Sequence, residues 1–182
     1  MTNWRPDDPE LYEDVQTRWQ YANANLKKSP DWRLKRLWRS SRDSARTPVQ
    51  WSAEENAGFT TGKPWFYINE NYVDVNVDSQ EDDPDSVLNF YRKAVALRKE
   101  LSCVKDGTYT EFNKLSSSLY TYAREDSKQK ILVVCSYTEK EVAFKAPKGF
   151  DLSEGELILQ NYPAVDPSVL KPYEVRAYLW NK

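Results

Sequence analysis

Apolar residues recur at helical spacing near the start of the chain, lose any period in its middle and alternate with polar ones towards its end. Leu11, Val15, Trp19 and Ala22 stand four, four and three residues apart, a stripe that predicts a helix across residues 9–28. Its acids gather early and Lys27-Lys28 close it, as the helix dipole favours. A second helix is predicted to start after Ser29, at Pro30 or Asp31, and to run to about Ser41. That helix sets Leu34, Leu37, Trp38 and Ser41 on one side and Lys35, Arg39 and Arg42 on another. From Asp43 to Asp82 no period survives, and Pro48, Gly58, Gly62 and Pro64 punctuate the chain. So long an irregular stretch points to a functional loop or a missing neighbour. Helix resumes with Asp83 as N-cap, Pro84 at the first helical position and Asp85 in the first turn. Val87, Leu88, Tyr91, Val95 and Arg98 carry it to about Leu101.

Beyond Leu101 the period becomes two. Short runs at 108–112, 119–122, 131–136, 141–144, 156–160 and 175–180 are separated by Asp106-Gly107, Pro147-Lys148-Gly149 and Ser153-Glu154-Gly155. They predict six or more antiparallel strands, a β-sandwich of about 80 residues.

Composition narrows the chemistry. The 182 residues cannot hold a complete (β/α)8 barrel, which takes about 250. Seven Trp, 12 Tyr and 6 Phe supply a core, while 30% charged residues and a mean hydropathy of −0.82 place much of the chain at a surface. No stretch reaches the roughly 18 apolar residues that span a bilayer, and residues 1–5 show no signal pattern; a cytoplasmic protein without membrane contact is expected. Cys103 and Cys135 lack metal-ligand spacing and read as reduced packing residues. The absence of histidine removes Ser-His-Asp and Cys-His catalysis. Neither a metal nor a cofactor is expected. Residues 27–46 hold eight basic residues against Asp31 and Asp43, a local charge of +6. A solvated helix face explains this run in a chain of net charge −2, and no nucleic-acid partner is expected.

The run Arg42-Asp43-Ser44-Ala45-Arg46-Thr47-Pro48-Val49-Gln50-Trp51, continued by Ala57-Gly58-Phe59-Thr60-Thr61-Gly62-Lys63-Pro64-Trp65, resembles the R-D-x-x-R-T-P-x-Q-W…A-G-F-[ST]-x-G-x-P-W signature of α-glucosidases in the α-amylase superfamily. That group holds the oligo-1,6-glucosidases, dextran glucosidases and trehalose-6-phosphate hydrolases. Residues 83–93 and 96–99 look like the family's D-P-D-S-[IV]-x-x-[YF]-Y-[KR]-K…A-L-R-K, and Met1-Thr2-Asn3 resembles an internal G-M-T-N. The resemblance implies an α+β fold: the final loop and helices of a (β/α)8 barrel at residues 1–101, with a long active-site loop at 43–82, then a β-sandwich domain at 102–182. It also implies a missing N-terminal barrel portion.

Retaining glycosidases need two carboxyl groups about 5 Å apart, and the family adds an Asp preceded by His. No segment here looks like the strand ends that carry these groups, so no catalytic residue is assigned. Asp7-Asp8, Glu54-Glu55 and Glu81-Asp82-Asp83 read as solvated or capping acids. The resemblance makes Arg46 a contact of the terminal glucose; its guanidinium can fork onto a carboxylate or two hydroxyls, and bracing of the loop is the alternative reading. Gln50 and Phe59 suit sugar binding as an amide and an aromatic face. Trp51 and Trp65 read as loop anchors, and Arg42 as a brace through Asp43 or backbone carbonyls. The expected function is the C-terminal piece of a retaining α-glucosidase acting on α-glucosidic oligosaccharides, inactive alone; the alternative is a non-catalytic carbohydrate-binding or interaction module.

Overall fold

Asp14 and Ser29 start the two helices at the front of the chain. The computed structural model describes residues 4–23, 26–163 and 166–182, in two compact units, Met1–Pro84 and Asp85–Lys182. Met1-Thr2-Asn3 therefore lies outside the described residues, as do Ala24 and Asn25 of the expected first helix.

That first helix is shorter than its stripe. Pro9–Leu11 form a 3-10 turn capped by Asp8, Tyr12 is extended, and helix α1 spans only Val15–Asn23. The Asp14 carboxylate accepts from the Thr17 amide at 2.9 Å and its hydroxyl at 2.8 Å, which fixes the helix start. The stripe also faces outward: Val15 is 80% and Trp19 65% exposed, while Thr17 is buried. Tethering of polar groups has outweighed burial of apolar ones here. Helix α2 (Pro30–Ser40) follows its pattern, with the Ser29 hydroxyl accepting from the Trp32 amide at 3.2 Å and Pro30 opening the helix. Leu37 joins Trp4, Tyr12 and Phe66 in a small core edged by Leu11, Tyr21, Leu34 and Trp38. Trp4 meets Tyr12 and Phe66 edge-on at 5.3 Å and stacks on Tyr67 at 4.8 Å, arrangements that the ring quadrupole favours. The chain is then largely irregular, with 3-10 turns at Arg42–Ala45, Glu55–Gly58 and Glu70–Val73 and one unanticipated turn of helix, α3 (Asp78–Glu81).

In the second unit the N-cap differs from expectation. Helix α4 (Val87–Glu100) is capped by Ser86, whose hydroxyl accepts from the Asn89 amide at 3.2 Å, so Asp83 and Pro84 precede the helix. An extended Leu101 separates it from α5 (Ser102–Asp106). Then follow β1 (Thr108–Phe112), β2 (Leu119–Glu125), β3 (Gln129–Ser136), β4 (Val142–Ala143), β5 (Glu156–Gln160), β6 (Val169–Leu170) and β7 (Val175–Asn181). Five form an antiparallel sheet in the order β1-β2-β3-β7-β5, and β4 pairs with β6 as a separate ribbon. Side-chain alternation divides the sheet into two faces. One packs Ala123, Leu132, Val134, Tyr178 and Trp180 against Phe144 and Leu170 beside and within the ribbon. The other packs Ile131, Ala177 and Leu179 against Leu101 and Cys103, with Leu97 of α4 alongside. Through these contacts α4 packs with the sheet, and the compact units divide at Pro84, earlier than the boundary at Leu101 expected between barrel and appended domain. Gly107 lets α5 meet β2: a Cβ there would lie 2.3 Å from the Cys103 carbonyl oxygen and 2.9 Å from the Glu125 backbone.

Cys103 and Cys135 are free thiols, one buried and one half-buried. Burial pushes Cys135 up to about 11, and burial followed by the charge of Asp126 raises Cys103. With little thiolate at pH 8, the native chain should react with an aromatic disulfide reagent at least about tenfold more slowly than the urea-unfolded chain. Prompt labelling of both thiols in the native state would contradict this packing.

Candidate functional site

Asp43 organises the first part of the 42–65 segment. The Ser41 hydroxyl accepts from the Asp43 amide at 3.2 Å and opens the 3-10 turn over Arg42–Ala45. This turn drives the Asp43 carboxylate inward, where it is fully buried. One oxygen accepts from the backbone amides of Glu13 at 2.8 Å and Asp14 at 3.0 Å. The other accepts from Arg46 Nη1 at 3.0 Å. Burial and then the charge of Asp43 push the Tyr12 phenol up to about 12. Asp14 completes the cluster, 3.7 Å from Arg46 Nη2. Burial alone would raise its pKa, but hydrogen bonds from Thr17 and the charges of Arg42 and Arg46 hold it below the usual carboxylate range.

Arg46 is thus held at one edge by two carboxylates while its side chain remains 37% exposed. A guanidinium so placed keeps donors for an incoming hydroxyl or carboxylate. Arg42, expected to brace through Asp43 or backbone carbonyls, is exposed and contributes charge to Asp14; the contact with Asp43 belongs to Arg46.

The second part of the loop is tied by backbone. Trp51 and Ser52 amides donate to the Ala57 carbonyl at 2.9 and 3.1 Å. Asn56, Ala57 and Gly58 are all left-handed, at φ 53°, 57° and 63°, a rare run for non-glycine residues. At Gly58 a Cβ would also meet Ser52 Oγ at 2.4 Å. Gly62 does not adopt a positive φ. This hairpin-like bend presents Phe59, 47% exposed. Gln50 points the other way. It is 2% exposed, its amide nitrogen donates to the Val75 carbonyl at 2.5 Å and Asn71 Oδ1 at 3.3 Å, and its Oε1 is buried without a partner. Its backbone carbonyl accepts from Val77 at 2.9 Å.

The three candidate residues therefore sit in two separately tied parts of one loop, Arg46 with Asp43 and Asp14, Gln50 and Phe59 with the 50–59 bend. Arg46 and Phe59 are accessible, and Gln50 braces the loop from within. Trp51 and Trp65, expected to anchor it, are exposed, and Phe66 takes the core position instead. Asp14 was not singled out from sequence and Asp43 only as a partner for Arg42; the Asx-Thr spacing at Asp14 and Thr17 was a readable sign for the former.

An exposed arginine locked by buried carboxylates on a long aromatic loop is an arrangement that can grip a hydroxylated ligand. The model of the α-amylase catalytic domain matches residues 8–107, and the chain belongs to that family. Among its relatives, the probable oligo-1,6-glucosidase 2 of Bacillus subtilis (strain 168) is 37% identical across 100% of this chain. The oligo-1,6-glucosidase of Bacillus cereus is 33% identical across 98%. The crystal structure of Bacillus licheniformis trehalose-6-phosphate hydrolase superposes on 100% of the chain with a TM-score of 0.90 at 35% identity. The chain spans about a third of the length of these proteins, 33% of each of the first two and 34% of the third. Among the described residues no helix is long and apolar enough to cross a membrane.

Proposed function

We propose that this chain is the C-terminal portion of a retaining α-glucosidase that releases terminal α-linked glucose from oligosaccharides. In this reading residues 1–101 complete a (β/α)8 barrel, the 43–82 loop faces the substrate, and residues 102–182 form an appended β-sandwich. The nucleophilic Asp and the acid Glu come from a barrel portion outside this chain. Arg46 grips hydroxyls of the terminal ring, and Phe59 offers that ring an apolar face. Gln50 acts by holding the bend that carries Phe59.

The observation that carries this reading is Arg46, held against Asp43 and Asp14 yet accessible, within a stretch that matches the catalytic domain of the family. The chain alone should not hydrolyse p-nitrophenyl α-glucoside. Grafted in place of the matching third of the Bacillus subtilis relative, it should support turnover, and Arg46→Ala should lower kcat/KM by about a hundredfold, the loss expected for charge-assisted hydrogen bonds. Turnover by the isolated chain, or a graft indifferent to Arg46→Ala, would sink the reading.

A further inference from the structure

A cleft between α1 and α2 holds chemistry that the glucosidase reading leaves unused. It encloses about 270 Å³ and is lined by Trp19, Gln20 and Asn23 of α1 and Arg33, Arg36 and Leu37 of α2. Its volume is near the lower end for small-ligand pockets, about 300 Å³. Arg33 and Arg36 bring two positive charges to its wall. Arg33 lies over the Tyr21 ring at 4.7 Å and donates from Nη1 to the Tyr21 carbonyl at 3.2 Å, while its Nε is buried without any partner. Neither Arg33 nor Arg36 is ion-paired among the described residues; the nearby Asp31 is engaged with Lys35 at 3.0 Å. A partly desolvated cation facing only a carbonyl and a π face is under-compensated, and an anion in the cleft would correct that.

We propose that this cleft binds a small phosphorylated sugar, its phosphate between Arg33 and Arg36 and its ring against the exposed indole of Trp19. Arginine forks match the oxygens of a phosphate monoester, and an indole face suits the apolar side of a pyranose. The side-chain amides of Gln20 and Asn23 are within the lining to take ring hydroxyls. Asn23 Nδ2 is already engaged with the Trp19 carbonyl at 2.9 Å, which leaves its oxygen for a hydroxyl donor. The +6 run over residues 27–46 supplies a field that draws the anion in. A nucleic acid fits less well, because it needs a groove that tracks successive phosphates and stacked bases, and this cleft of about 270 Å³ has room for one small group. The site shares no residue with Arg46, Gln50 or Phe59, so its failure would leave the glucosidase reading standing.

Calorimetric titration of the full chain at low salt tests the assignment. Glucose 6-phosphate should bind saturably at one site, with free glucose and inorganic phosphate each at least about tenfold weaker. Arg36→Met should weaken glucose 6-phosphate by about tenfold or more, the effect of removing one charged donor, and Trp19→Ala should weaken it as well. Arg36 is exposed and away from the core, so an unchanged circular dichroism spectrum accompanies that loss; Arg33→Met, which disturbs the Tyr21 contact, is only a supporting variant. Absence of saturable glucose 6-phosphate binding, or binding indifferent to Arg36→Met, overturns the site. Equal affinity for free glucose removes the phosphate from the proposal, and equal affinity for inorganic phosphate removes the sugar; either result overturns it. A single-stranded oligonucleotide that binds more tightly and depends on Arg36 overturns it in favour of nucleic acid.

Discussion

Replacing Arg176 with alanine should lower the urea midpoint of the sheet unit by about 2 M, a loss of about 3–5 kcal/mol. Arg176 and Glu174 are both fully buried at the start of β7. Arg176 donates to Glu174 Oε1 at 2.8 Å, to the Asp166 carbonyl at 2.7 Å and to the Val169 carbonyl at 2.6 Å. The Lys171 amide in turn donates to Glu174 Oε2 at 2.7 Å. This pair bolts the segment that carries β6 onto the start of β7, so its loss strands a buried carboxylate and two carbonyls together. Replacing both residues, as Glu174→Leu with Arg176→Met, should cost less than Arg176→Ala alone, because no unpaired charge remains. Unfolding followed by circular dichroism, with amide exchange read on β3 and β7, distinguishes the cases. A double variant worse than the single one would remove the charge argument.

Acid should attack the same place. Burial would raise the Glu174 pKa, but the Arg176 and Lys171 contacts prevail and hold it below its ordinary value. Its unfolded value is about 4.3. The carboxylate therefore binds protons more readily in the unfolded chain, and its contribution to stability is complete above that pH and disappears as pH falls through the lower, folded value. Asp14 follows the same sign in the first unit, relative to about 3.9.

Much of the sheet was readable from short apolar runs separated by turn signals: the limits of β1 and β5 coincide with their runs. The two-residue β6 offers no period, and its position depends on pairing with β4 and on Arg176, neither of which is local. At α4 the stretch Asp83-Pro84-Asp85-Ser86 holds several oxygen-bearing side chains, and Ser86, three residues before the Asn89 amide that its hydroxyl accepts from, is the one that caps the helix. The stripe in α1 misled for a different reason. Its apolar residues have the right spacing, yet Asp14 and Thr17, caught by Ser41 and Asp43, decide which face turns inward. Such a cluster joins positions about thirty residues apart in sequence, so no local pattern announces it. In the loop, the aromatic residues were visible but their exposure was not, since Trp65 and Phe66 are adjacent and nothing in composition says which one enters the core.

Asp43→Ala should be the most damaging change in the first unit, at about 3 kcal/mol or more, because it leaves the buried Asp14 amide, the part-buried Glu13 amide and one edge of Arg46 without their acceptor. Asp43→Asn keeps a single acceptor oxygen and should fall between this variant and the native chain. Arg46→Ala removes a partner from the outside only. Asp43 then retains both amide donors, and a side chain with this exposure should cost no more than about 1 kcal/mol. The ratio of the two losses is therefore informative about function. A loop arginine whose removal barely changes stability, beside an aspartate whose removal unfolds the loop, is one that the fold holds in place without depending on it. Amide exchange at Glu13 and Asp14 with urea unfolding measures both variants. If Arg46→Ala destabilises as much as Asp43→Ala, the guanidinium is a brace, and the case for its grip on a sugar loses its physical basis.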